Sequence, residues 1–176
     1  MKKLMSGMLL LGSVCTILFG PIRTEGEENM KIKSAAFSEN QMIPQKYTCQ
    51  GEDVNPSLSI ENIPPGAGSV VLIVDDPDAP MGTWVHWVVY NIPAKPTVEI
   101  KENSIPGSQV RNDFGKDSYG GPCPPSGTHR YFFKAYALDG MLSFQESPGN
   151  KRDLEMAMDG HILAKAELIG LYKKGK

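Results

Sequence analysis

Apolar and polar positions change over in short runs along this chain, and clusters of turn residues separate them, which is the pattern of strands rather than of long helices. Val70-Val71-Leu72-Ile73-Val74 departs from simple alternation: it is apolar throughout and rich in β-branched residues, as expected of a strand buried on both faces. It ends at Asp75-Asp76-Pro77-Asp78-Ala79-Pro80, where proline cannot continue a hydrogen-bonded ladder. Trp84 to Ile92 reads as a second strand and Arg130 to Leu138 as a third, both carrying the aromatic and β-branched side chains that suit a pleated, half-buried surface. Between them, Tyr119 to Gly127 holds too much glycine and proline for regular structure. Leu154, Met158 and Ile162 recur at helical spacing behind Asn150, a good N-cap, so a helix is expected there, with His161 on it as a buried, hydrogen-bonded structural residue. Ala166, Leu168 and Tyr172 then alternate as a closing strand. These elements predict a mainly β sandwich with a short helix near the C-terminus.

The first residues follow a different rule. Lys2 and Lys3 precede an almost uncharged apolar stretch from Leu4 to Phe19, which breaks at Gly20-Pro21 and turns acidic at Glu25, Glu27 and Glu28. Residues 1–29 therefore read as an export signal with a short acidic linker, and 30–176 as one folded domain, periplasmic or secreted. The alternative is an uncleaved segment that anchors the chain, which would be its only membrane contact. Lipidation at Cys15 fits poorly, because the cysteine lies inside the apolar run. Export would put the remaining cysteines, Cys49 and Cys123, in an oxidising compartment, where a disulfide is expected. Two unpaired, buried thiols are the other reading.

Charge narrows the function. The chain of 176 residues has 18 Lys+Arg against 20 Asp+Glu, a net charge of -2 with no basic block. That lacks the positive field needed to hold a phosphate backbone and argues against nucleic acid as a partner. The candidate chemistry lies in Asp76, Asp78, His86 and His129. Imidazoles donate to anionic oxygens, a carboxylate on the far ring nitrogen favours the imidazolium, and the amides of Gly120 and Gly121 can approach a ligand without a Cβ in the way. The plainer reading makes the aspartates turn residues and the histidines satisfied core groups.

Asp76-Pro77-Asp78-Ala79-Pro80, then Trp84-Val85-His86-Trp87-Val88 running to Tyr90-Asn91-Ile92-Pro93, then Tyr119-Gly120-Gly121-Pro122 leading to Gly127-Thr128-His129-Arg130-Tyr131 resemble the phosphatidylethanolamine-binding protein family. The similarity is greatest to its bacterial, Raf kinase inhibitor-like branch, with Thr48 to Pro56 and Gly160 to Ala164 fitting as well. The resemblance runs from Lys31 to Lys173, with Ile60 standing where the family often has tryptophan. It implies a two-sheet antiparallel β-sandwich and a pocket for phosphate, acetate or a phosphoethanolamine head group. The corresponding residues are Asp76, Asp78, Pro80, His86, His129 and Tyr131, with Gly120 and Gly121 at the rim. No cofactor and no catalytic residue are implied. The kinase-binding features of eukaryotic members have no residue-by-residue match here.

Three rivals remain. An interaction protein, inhibiting a protease or kinase through its surface, would keep the pocket only as a vestige or a regulator. Two histidines and an aspartate are also the composition of an iron-binding facial triad. Ser126 with His129 could be read as a hydrolase pair, but Pro125-Ser126-Gly127 lacks the nucleophile elbow.

Overall fold

The computed structural model describes residues 29–175. Its nine strands are β1 (Lys31–Ser34), β2 (Gln41–Met42), β3 (Leu58–Glu61), β4 (Ser69–Asp76), β5 (Trp84–Pro93), β6 (Thr97–Ile100), β7 (Ser108–Gln109), β8 (Thr128–Leu138) and β9 (Ile162–Lys173), and the helix α1 spans Lys151–Met158. The apolar run from Val70 becomes the middle of β4, and every residue of that strand is buried.

Two sheets form. The smaller has the order β1-β3-β6 and is antiparallel, and the larger has the order β2-β9-β8-β4-β5-β7. Only the short β2–β9 pairing is parallel; the other ladders of the large sheet are antiparallel. Ile32, Leu58, Ile60, Val98 and Ile100 of the small sheet pack against Val70, Leu72, Val74, Trp87, Val89 and Phe133 of the large one. Ile60 is fully buried in that core, so the position is filled without an indole. The opposite face of the large sheet buries Val71, Ile73, Val85 and Val88 beneath Leu154 and Met158 of α1. Both faces of β4 are thus covered, which is why its sequence does not alternate.

Two irregularities in β5 matter for the site. The β4–β5 register slips between Val74 and Asp75, where Trp87 and Val85 are the partners and His86 has none. This bulge breaks the side-chain alternation of a regular strand at His86: Val85 and Trp87, two residues apart, pack on opposite faces of the sheet. A second slip lies between Val70 and Leu72, opposite Asn91, which takes a left-handed φ of 56°. There the Asn91 side chain donates to the carbonyl of Leu142 and accepts from its amide, both at 2.8 Å, tying down the loop ahead of α1.

The helix is shorter than its apolar spacing predicts. Asn150 caps it by accepting from the Asp153 amide, as expected. It stops at Met158 because Gly160 turns the chain with a φ of 78°. Ile162 therefore starts β9 and is exposed. His161 is not on a buried helix face: it lies in the connecting turn, about half exposed, with its Nδ1 hydrogen-bonded to Asp139 at 2.9 Å.

Candidate functional site

The site lies where β4, β5 and β8 meet the loop 119–127. Asp76 ends β4 on the inner side of the sheet and is 3% exposed. One of its oxygens accepts from His129 Nδ1 at 2.7 Å, and the other accepts from the Asp78 amide at 2.8 Å. The carboxylate thus orients a histidine and closes the turn that follows it.

His86 is 3% exposed and stands edge-on to Tyr131, ring centroids 5.2 Å apart. Its Nδ1 lies 2.7 Å from the carbonyl oxygen of Gly120. A carbonyl can only accept, so Nδ1 carries the proton and Nε2 is left for the cavity. Burial holds the His86 pKa below its ordinary value, opposed by the carbonyls of Gly120 and Gly121 and by the charges of Asp76 and Asp75. The resting ring is therefore neutral near pH 7, with a lone pair on Nε2. Tyr131 is fully buried, and its hydroxyl makes no hydrogen bond of ordinary geometry, although the Asp76 carboxylate and the Cys123 amide lie beside it. Burial, with the Asp76 carboxylate nearby, pushes its pKa up, which keeps it a protonated donor.

A cavity of about 240 Å³ opens against this cluster, lined by Asp76, Pro80, Trp84, His86, Phe114 and Cys123 together with Met81, Pro124 and Pro125. The Trp84 indole N–H is buried there without an acceptor. Buried polar groups are nearly always satisfied, so orphaned donors on Trp84 and Tyr131 beside an open imidazole nitrogen mark a place where a ligand would supply acceptors.

The expected residues divide. Asp76, His86, His129 and Tyr131 come together, and Pro80 lines the cavity. Asp78 turns away: its carboxylate takes Arg130 through Nε at 2.9 Å and Nη2 at 2.7 Å, and that pairing lowers its pKa to about 2. It fixes the turn instead of facing a ligand. Gly120 and Gly121 are close to the site, but their amides are already engaged: Gly120 donates to the His86 carbonyl at 3.0 Å and Gly121 to Asp53 Oδ1 at 2.6 Å. The glycines shape the wall and position His86; they are not open donors.

The bridge between Cys49 and Cys123 forms, with Cα atoms 5.5 Å apart. Ser126 makes no hydrogen bond to His129, whose Nδ1 is given to Asp76. Among the described residues no three His, Cys, Asp or Glu side chains converge as a metal-binding group.

Sequence reasoning missed Trp84 and Phe114 as lining residues and Asn112 as their organiser. Asn112 donates to the carbonyls of His86 and Ser118 and accepts from the amides of Phe114 and Lys116, so it builds the loop that carries Phe114 to the cavity. The signal was available in Asn112-Asp113-Phe114-Gly115, a turn-forming series with an aromatic inside it.

A model of the family described as "Phosphatidylethanolamine-binding protein" matches residues 33–173. The chain belongs to the phosphatidylethanolamine-binding protein family. Among its relatives, a UPF0098 protein of Pyrococcus horikoshii is 48% identical over 162 residues, covering 85% of this chain and 80% of its own length. A UPF0098 protein of Aquifex aeolicus is 45% identical over 174 residues, 94% of this chain and 99% of its own. The fold agrees with two crystal structures. A phosphatidylethanolamine-binding protein homologue of Chlamydia trachomatis superposes with a TM-score of 0.79 at 46% identity, over 84% of this chain and 99% of that one. Escherichia coli YbcL, described as a new member of the mammalian PEBP family, gives 0.76 at 28% identity, over 84% and 100%. The two-sheet architecture read from the sequence is thus the family's own.

Proposed function

We propose that this family member is an exported, non-enzymatic binding protein whose cavity takes a small anion or a phosphorylated head group. The observation that carries the reading is the cavity lining: His86 Nε2 is open while its Nδ1 is held, the Trp84 N–H has no acceptor, and the Tyr131 O–H behind it has none at ordinary hydrogen-bond geometry. A dianionic oxygen cluster would satisfy all three groups once His86 is protonated. Asp76 would disfavour an anion by its charge, and the His129 N–H on one of its oxygens offsets that. No side chain here is arranged as a nucleophile with its base, which favours capture over turnover. Export is supported by the basic and apolar leader, residues outside the described part of the chain, and by the bridged cysteines.

Binding that requires the imidazolium takes up a proton whenever the free ring is neutral. Affinity then falls about tenfold per pH unit above the His86 pKa. The test is calorimetric titration of the leader-free protein with phosphoethanolamine and with sulfate, from about pH 5.5 to 8 and with a chelator present. Sulfate keeps its own charge across that range, so its pH slope reports the protein alone. Saturable binding that weakens with rising pH, and is lost in His86→Ala, is the expected result. Equal affinity of wild type and His86→Ala would sink the proposal.

A second reading, contact with a protein partner at the same mouth, is favoured by one observation. Met81 is 93% and Phe114 40% exposed at the cavity edge, more apolar surface than a purely ionic ligand uses. Pull-down with wild type against Met81→Ser and His86→Ala separates the two: loss only in the first variant favours a surface partner, loss in both a ligand-linked one.

A further inference from the structure

The disulfide joins two segments, 45–53 and 119–127, that pack together behind the cavity wall. Cys49 lies just past a 3-10 turn at Gln45–Tyr47 and is exposed; Cys123 is half-buried and lines the cavity. The first half of the loop 119–127 is held by several hydrogen bonds besides the bridge. The Tyr119 hydroxyl donates to the Tyr47 carbonyl at 2.9 Å, Gly120 and Gly121 donate as described, and the Cys49 amide donates to the Pro122 carbonyl at 3.2 Å. The second half is different. From Cys123 to Gly127, among the described residues, no backbone–backbone hydrogen bond outside the strands holds the chain, Pro124 and Pro125 have no N–H to give, and besides the bridge only the Cys123 amide, beside the Tyr131 hydroxyl, ties the wall to the core. Yet Cys123, Pro124 and Pro125 form one side of the cavity.

We propose that the Cys49–Cys123 disulfide is a redox control on this cavity: oxidised, it fixes the Cys123–Pro125 wall and permits anion binding; reduced, it releases the wall and weakens binding. The proposal rests on the anion-pocket reading above. Cys49 is the more exposed of the two residues and is the one a reductant reaches first. A thiolate of an external dithiol attacks Cys49 Sγ, the S–S bond breaks, and Cys123 leaves as a thiolate that takes up a proton. The second thiol of the reductant then displaces Cys49, which leaves as a thiol, and the dithiol becomes a disulfide. Two electrons and two protons have moved to the protein. What remains of the wall is anchored at Pro122 and at the start of β8, with a left-handed Gly127, φ 72°, between free segment and strand.

The loss of a preorganised wall should cost affinity about tenfold or more. The experiment compares oxidised protein, protein reduced with dithiothreitol, reoxidised protein and the Cys49→Ser/Cys123→Ser variant. Each is titrated with phosphoethanolamine, and each is read without ligand by acrylamide quenching of tryptophan emission. Trp87 is 1% exposed in the core, whereas Trp84 lines the cavity, so added quenching on reduction reports the wall. Weaker binding and greater quenching in the reduced state, both reversed on reoxidation, support the control. Unchanged affinity and quenching overturn it, as does binding that reoxidation fails to restore, since that marks unfolding instead of a switch. If the oxidised protein does not bind at all, the anion-pocket reading falls; the wall's response is still decided by the quenching arm. The double variant, checked for native circular dichroism, should match the reduced protein.

Discussion

Gly121, two residues before Cys123 of the cavity wall, packs tightly against the 47–53 segment. A Cβ there would lie 2.5 Å from the Tyr47 carbonyl oxygen and 2.6 Å from Asp53 Oδ1, so no side chain fits without moving backbone. Gly121→Ala should therefore lower stability by about 1–3 kcal/mol, the range for overpacking a close contact, and weaken ligand binding with it. Urea unfolding alongside titration measures both; an unchanged midpoint would mean that the two loops do not meet as described. Individual residues were partly legible beforehand. Asp76, His86 and His129 stand out because two histidines and an acid flank turn and strand signals, and they do converge. What spacing could not give was the partner of each polar atom. The free amides expected at Gly120 and Gly121 are occupied, and Asp78 answers Arg130, because those bonds join residues far apart in the chain.

At the scale of elements, α1 is fastened to the sheet by charge as well as by Leu154 and Met158. Asp75 is completely buried on the outer face of β4, where Lys134 of β8 reaches it at 2.8 Å and Lys151, the first residue of α1, at 2.7 Å. Burial works against the charge of Lys151, but its hydrogen bond and attraction to Asp75 outweigh this and leave its pKa above normal. Replacing both lysines by methionine strands a buried carboxylate and should cost about 3–5 kcal/mol; replacing all three charged groups by apolar ones should cost much less. Chemical denaturation of the two variants decides it, and equal losses would show that the charges are screened by solvent. The strand pattern foretold β4, β5 and β8 within a residue or two, since their apolar runs are long. The helix was overextended because Ile162 kept helical spacing past Gly160, the residue that ends it. The bulge at His86 left no mark in the sequence: it is a property of how β5 pairs with β4.

For the whole molecule, the buried His86 couples stability to pH. Its ring titrates near 6.5 when exposed and lower in the folded chain, so near and below 6.5 the unfolded state binds more protons. The contribution is complete above 6.5 and is lost as pH falls. Asp78 adds an acid limb: its pKa falls from 3.8 to about 2 on folding, so the support from its Arg130 pair is lost as pH drops through that interval. Thermal unfolding should show a declining midpoint below about pH 6.5, with sulfate flattening the decline by holding His86 protonated in the native state. A midpoint independent of pH, or one that sulfate leaves untouched, would contradict the link between the ring and the cavity. The bridge closes a loop across 74 residues of sequence, which in a chain-entropy account stabilises the fold by about 4 kcal/mol.

The position of β9 sets the order in which this protein can be made. That strand lies between β2 and β8 in the large sheet, yet it comes from residues 162–173, after every strand it supports. While β1 to β8 are already synthesised, β8 has an open edge and β2 has no partner. The sandwich is closed only by a strand that arrives late, through pairings as distant as Gln41 with Gly170. A growing chain therefore stays short of its native state until β9 has been made, its aromatic edge unpaired and prone to self-association. That interval is the one in which a holding chaperone, or threading through a narrow channel, would find the chain still open.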